Sequence, residues 1–95
     1  MGEDPKSIGQ RLVLARKALG MDSGEFAKKA GVLPSAISMY ESGERPCSLA
    51  NAIKFVHRYG LTLDWIYLGD HTALPAKLDS SMRTIIDARE ELDNR

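Results

Sequence analysis

Cysteine is almost missing from this 95-residue chain: Cys47 stands alone. No disulfide can therefore close within the chain, which excludes a small secreted fold stapled by bridges. Long apolar runs are missing as well. The longest, residues 12–15 and 65–68, hold four residues each, against the roughly 20 that a membrane-spanning helix needs. The start, Met1-Gly2-Glu3-Asp4-Pro5-Lys6, is acidic and has no apolar stretch of the secretory type. The expectation is a cytoplasmic protein without a membrane partner. An excess of one charge is also absent, because 13 bases are matched by 13 acids, so the whole chain is not a polycation drawn to nucleic acid. Histidine occurs twice, as His57 and His71, and neither it nor Cys47 falls at a metal-ligand spacing. The glycines are scattered and form no phosphate-cradling loop.

What is present suits one small folded unit with a tail. Hydrophobic residues make up 43% and charged residues 27%, ordinary values for a globular chain and too apolar for wholesale disorder. The charge balance hides an asymmetry. Through Gly60 there are nine bases against six acids, and beyond it four against seven. A mildly basic N-terminal part is thus joined to an acidic C-terminal one.

Sustained period-two alternation is nowhere found and β-branched residues are sparse, so the chain reads as all-α. Gly20, Gly31, Gly43, Gly60 and Gly69 each follow a segment of helical periodicity, where a left-handed residue closes the last turn. Five short helices before residue 70 follow from this punctuation. The first is expected over residues 7–19, with Ile8, Leu12, Ala15 and Leu19 on one face and Ser7 and Gln10 forming a capping box. A second box, Asp22 with Glu25, opens a helix that runs through Ala30. Pro34 suits the first position of a third helix, ending near Ser42, because its missing N–H would be unpaired there. Ser48 caps a fourth with Leu49, Ala52, Ile53, Val56 and Tyr59 facing the core, and Thr62 caps a fifth carrying Trp65, Ile66 and Leu68. A sixth helix is expected from Pro75 to Asp93, with Leu78, Met82, Ile85, Ile86 and Leu92 along one side. Packing on its own domain, dimerisation and a frayed tail are all compatible with that pattern, which spans about two heptads.

Residues 23–42, SGEFAKKAGVLPSAISMYES, read as two short helices hinged at Gly31. A helix-turn-helix needs a small residue where the second helix crosses the first, and Ala27 supplies it. It needs positive φ at the turn, which Gly31 adopts without the Cβ penalty. Phe26, Ala30, Val32, Ile37 and Tyr40 supply the buried faces. Residues 8–70 resemble the helix-turn-helix domain of the Cro and phage-repressor (XRE-type) family. The likeness rests on Ile8-Gly9-Gln10-Arg11-Leu12, Ala30-Gly31-Val32, Ile37-Ser38, Glu41-Ser42-Gly43-Glu44-Arg45 and Leu63-Asp64-Trp65-Ile66.

That resemblance implies a five-helix lambda-repressor-like domain over residues 1–70, with an additional C-terminal helix in a 71–95 extension that could serve dimerisation. It implies double-stranded DNA as partner, a homodimer, no cofactor and no catalytic role. The third helix would enter the major groove, with Pro34, Ser35, Ser38 and Met39 facing the bases and Ala36 beside them. Ser23 would hold a phosphate at the start of the second helix. Ser42 and Arg45, with backbone N–H groups around Gly43, would do so at the far end. Arg16 and Glu41 would form an orienting ion pair between the first and third helices.

Three departures temper this expectation. Leu33 occupies the cap position of the third helix, where Ser or Thr would contribute about 1 kcal/mol. The outward face lacks the Arg, Asn and Gln that pair bidentately with G or A, although Met39 or Ala36 can touch a thymine methyl. Glu44 and the small excess of base limit the grip on phosphates, so binding should depend on dimerisation or DNA shape. The rival reading is a protein-interaction module on the same fold, of antitoxin or antirepressor type. Arg11, Lys28 and Arg45 flanking the third helix would favour DNA, whereas an acidic tail folded over that helix would favour the rival. No small-molecule effector site is evident.

Overall fold

A computed structural model describes residues 4–93. The opening residues 1–3, read above as free of a secretory signal, and residues 94–95 of the C-terminal extension lie outside the described residues. Among those described, six helices account for all the regular structure: α1 (Pro5–Ala18), α2 (Ser23–Ala30), α3 (Pro34–Ser42), α4 (Leu49–Tyr59), α5 (Leu63–Leu68) and α6 (Ala76–Asp93). No helix among the described residues is long and apolar enough to cross a membrane.

The helix ends follow from local chemistry. Asp22 accepts the Glu25 N–H at 2.9 Å, Ser48 accepts that of Asn51 at 3.2 Å, and the Thr62 hydroxyl accepts that of Trp65 at 3.0 Å. Each satisfies one of the N–H groups that a helix start leaves without an internal partner. Glu25 does not complete a box with Asp22 but reaches Lys29 at 3.1 Å. All five glycines named above have φ between 73° and 80°. The start of α1 differs from expectation. Helical structure begins at Pro5, two residues before Ser7, with Asp4 in extended conformation ahead of it. A proline preset to helical φ at the first position initiates the helix earlier than the Ser7–Gln10 box would.

The core joins Ile8, Leu12 and Ala15 of α1 to Phe26 and Ala27, Ile37 and Tyr40, Ala52 and Phe55, and Trp65 and Ile66. Here α4 corrects the sequence reading. Ala52 and Phe55 are buried, with Val56 and Tyr59 packed at the edge, whereas Leu49 and Ile53 are exposed. The helix is rotated so that rings from two elements can stack. Phe26 lies 4.8 Å from Phe55 and 4.6 Å from Tyr59 between ring centres, nearly parallel to both. Tyr59 also donates its hydroxyl to the Phe26 carbonyl at 2.6 Å. Cys47 is buried, and desolvation pushes its thiol up to about 11 from the ordinary 9.0. Its side chain is part of the packed core.

The extension is continuous with this core. Leu74, Leu78 and Met82 are buried, and α6 packs along α1 without touching α3. Its outer half is more exposed, Ile86 at 37% and Leu92 at 65%, although Ile86 still lines the groove beside Arg11 and Leu14 of α1. α1 is therefore the central element, with α3 against it in one direction and α5 and α6 in another.

Among the described glycines the tightest site is Gly9, where a Cβ would run into the Tyr40 carbonyl oxygen and sit 3.1 Å from Glu41 Cα. Backbone cannot yield there as a flexible side chain would. Gly9→Ala is expected to destabilise the protein by about 3 kcal/mol through overpacking, despite alanine's better helix propensity. Gly24→Ala, whose Cβ would meet only the Asp22 side chain at 3.5 Å, is expected to leave stability unchanged or raise it. Urea denaturation of the two variants checks the contrast.

Candidate nucleic-acid interface

α2 ends and α3 begins across three residues. The Gly31 N–H donates to the Lys28 carbonyl at 3.0 Å and the Val32 N–H to that of Ala27 at 2.9 Å. Gly31, at φ 79°, makes this crossed closure possible. Val32 is then buried and turns the chain outward again. Leu33 is extended at φ −67° and ψ 135°, as the residue before a proline must be. Pro34 starts α3, and no side chain caps it. Ala27, which was required to be small for the crossing, is completely buried.

α3 has two distinct faces. Ile37 and Tyr40 are buried, Met39 is half-buried, and Pro34, Ser35 and Ser38 are exposed. The inner face is held by polar as well as apolar contacts. Arg16 forms a two-pronged bridge to Glu41, with Nε at 2.8 Å from Oε2 and Nη2 at 3.2 Å from Oε1. Both side chains are largely shielded, at 19% and 14% exposure. The third guanidinium nitrogen donates to the Met21 carbonyl at 3.4 Å, which ties α1, the α1–α2 turn and α3 into one joint. Asn51 Nδ2 donates to the Tyr40 hydroxyl at 2.7 Å and joins α4 to the same helix.

The structure distributes the sequence-derived contact residues unevenly. Ser35 is exposed on the first turn of α3, and Arg45 is exposed just past its end. Ser23 begins α2 and is half-buried. The Ser38 hydroxyl donates to the Pro34 carbonyl at 3.2 Å, leaving only lone pairs outward. Ser42 donates to the Met39 carbonyl at 3.1 Å and accepts the Glu44 N–H at 3.3 Å. The amides of Gly43 and Arg45 are bonded to the Tyr40 and Met39 carbonyls. The cluster of backbone donors expected near Gly43 is therefore used to close α3, because carbonyls at a helix end need partners as much as a ligand does.

Two further cations depart from the sequence reading. Arg11 does not flank α3. Its Nε donates to the Ile66 carbonyl at 2.9 Å, and its side chain lines a groove of about 420 Å³ between α1, the end of α5 and α6. Lys54 of α4 was not singled out, yet its Nζ sits 3.3 Å from the Gly31 carbonyl at the turn itself. Only the packing of α4 on α2 brings it there, so a linear pattern carries no sign of it.

An exposed helix hinged by Gly31 on a shorter partner, within an all-α domain whose remaining helices buttress its inner face, defines a helix-turn-helix protein. Residues 12–66 match the helix-turn-helix family of the Cro, lambda-repressor and XRE type, and the chain belongs to that family. The family is one of DNA-binding regulators. No curated protein and no solved structure matches the chain significantly.

Because the Arg16–Glu41 bridge is shielded and bidentate, Glu41→Ala and Arg16→Ala are each expected to lower stability by about 2 kcal/mol. The double variant should lose clearly less than the two losses combined, since one interaction is removed twice. Arg16→Lys should not restore the stability, because an ammonium cannot offer the planar fork. Chemical denaturation of the four variants measures the coupling.

Proposed function

We propose that this protein is a sequence-specific transcriptional regulator, a repressor acting by operator occlusion, that inserts α3 in the major groove of double-stranded DNA. The single observation that carries this reading is the division of α3. Its inner face is locked by Ile37, Tyr40 and the Arg16–Glu41 bridge, while its outer face is uncovered. A helix presented this way can reach base edges without the domain deforming. The rival reading, an interaction module of antitoxin or antirepressor type, is favoured by an acidic tail lying over α3. That tail forms α6, which packs on α1 and makes no contact with α3.

In this proposal Pro34, Ser35, Ser38 and Met39 meet the bases and Ser23 and Arg45 meet phosphates. Ser42 changes role from phosphate contact to helix closure, on the strength of its two local hydrogen bonds. Lys54 adds positive charge beside the turn. The binding needs no cofactor and involves no catalytic step. With so few cations near α3, two subunits acting together would supply the affinity. We assign their contact to the outer half of α6, where Ile86 and Leu92 are exposed beside the half-buried Ile85.

Arg45→Ala is expected to weaken binding to all duplexes alike and to reduce the salt slope by about 1, as one phosphate contact is lost. Replacing Ser35 and Ser38 together by Ala should instead relax sequence preference. Binding-site selection from random duplexes at fixed salt, followed by titration at several salt concentrations, separates the two effects. Parent-like binding by both variants would sink the assigned face.

The dimer is tested without disturbing the core. Truncation at Pro75 would remove the buried Leu78 and Met82, so surface substitutions are the better probe. Ile86→Glu with Leu92→Glu is expected to give a monomer by sedimentation while melting as the parent does. An unchanged mass would place the contact elsewhere.

A further inference from the structure

The most exposed large apolar side chain among the described residues is Leu33, at 71%. It occupies the cap of α3, where it makes no side-chain hydrogen bond. A Ser, Thr, Asp or Asn there would satisfy a backbone donor and avoid the exposed apolar area, so the position favours neither stability nor solubility as it stands. Its neighbours sharpen the point. Val32 before it is buried, whereas Pro34 and Ser35 after it are exposed. The chain therefore turns outward at Leu33 and carries it onto the surface shared with the outer face of α3.

The first turn of that face is poor in donors. Pro34 has no N–H, Leu33 and Pro34 have apolar side chains, and Ser35 offers one hydroxyl. One turn later, Ser38 directs its proton inward to the Pro34 carbonyl and shows only lone pairs outward. Such a surface cannot pair bidentately with guanine O6 and N7. In the major groove the one apolar feature on a base edge is the C5-methyl of thymine, and the adenine opposite it carries an N6 donor that a lone pair can accept. The first two turns of α3 thus match an A·T pair on both counts.

We propose that Leu33 is a specificity-determining residue that packs on a thymine methyl at the edge of the half-site. This rests on the assignment of α3 to the major groove. It adds a position that the helix-turn-helix pattern would treat as a cap, and it explains why a capping residue is missing there. The absent cap is then exchanged for apolar contact in the complex, a gain realised only when the groove covers the side chain.

Removing one methyl at a time tests the idea. A duplex selected by the parent protein is resynthesised with each thymine in turn replaced by uracil, which keeps every hydrogen-bonding group. One position per half-site is expected to weaken the parent about five-fold, in line with a single buried methyl. Leu33→Ser, which restores a cap and should melt higher, is expected to bind the thymine and uracil duplexes equally. Leu33→Met, which keeps an apolar chain, should retain the penalty. Parent affinity unchanged at every uracil position overturns the proposal, as does an equal penalty in the parent and Leu33→Ser, and in either case the DNA-binding reading survives. A parent that selects no duplex at all overturns that reading and this inference with it.

Discussion

The rest of the molecule is arranged around the contact between α1 and the C-terminal half of α3. Gly9 lets the α1 backbone lie directly against the Tyr40 carbonyl, and two turns further along the same helix Arg16 grips Glu41. Both contacts fall on adjacent residues of α3. The helix is consequently held at its far end and along its inner face, while its first turn projects. Backbone-to-backbone contact tolerates little adjustment, and a bidentate guanidinium–carboxylate bridge restricts direction as well as distance. The angle at which α3 leaves the domain is therefore set by α1 as much as by the α2–α3 turn.

A second consequence concerns hydrogen bonds. α3 is short and polar outside, and its serines have a choice between solvent, ligand and their own backbone. Ser38 and Ser42 both bond locally, and the amides after Ser42 close the helix end. This leaves an outer face made of apolar groups, lone pairs and one hydroxyl proton, in place of the long amide and guanidinium side chains suited to reading G and A. In the proposed function, affinity would then come from elsewhere, from Arg45 and the lysines around α2 and α4 and from the pairing of two subunits. The same logic gives α6 two parts. Leu78 and Met82 complete the core on α1, and the outer turns leave Ile86 and Leu92 exposed.

Much of this was legible in the chain. The left-handed glycines, the caps at Asp22, Ser48 and Thr62, the limits of α3 and the two-helix motif all depend on residues close in sequence, where local sterics and capping dominate. The pairing of Arg16 with Glu41 came through family resemblance and is present as expected. One reading failed locally: Ser7 was expected to open α1, but the helix begins at Pro5. The other failures come from tertiary packing. Leu49 and Ile53 have the hydrophobicity of core residues, but the ring stack of Phe26, Phe55 and Tyr59 determines which side of α4 faces inward. Arg11 lies within the resembling segment and bears the charge expected of a DNA contact, yet its side chain turns to the Ile66 carbonyl.

The amino-acid order by itself determined the limits of α2 to α5 and the hinge at Gly31, because these follow from neighbours within a few residues, and its single cysteine precludes a disulfide within the chain. Tertiary packing alone decided which faces those helices bury and which polar groups remain available. Gly9 has no meaning until Tyr40 lies against it, Lys54 none until α4 brings it to the Gly31 carbonyl, and Leu33 stays an ill-suited cap until its exposure is known. The reason is that burial and hydrogen-bond competition are settled between residues distant in sequence, where no local periodicity extends.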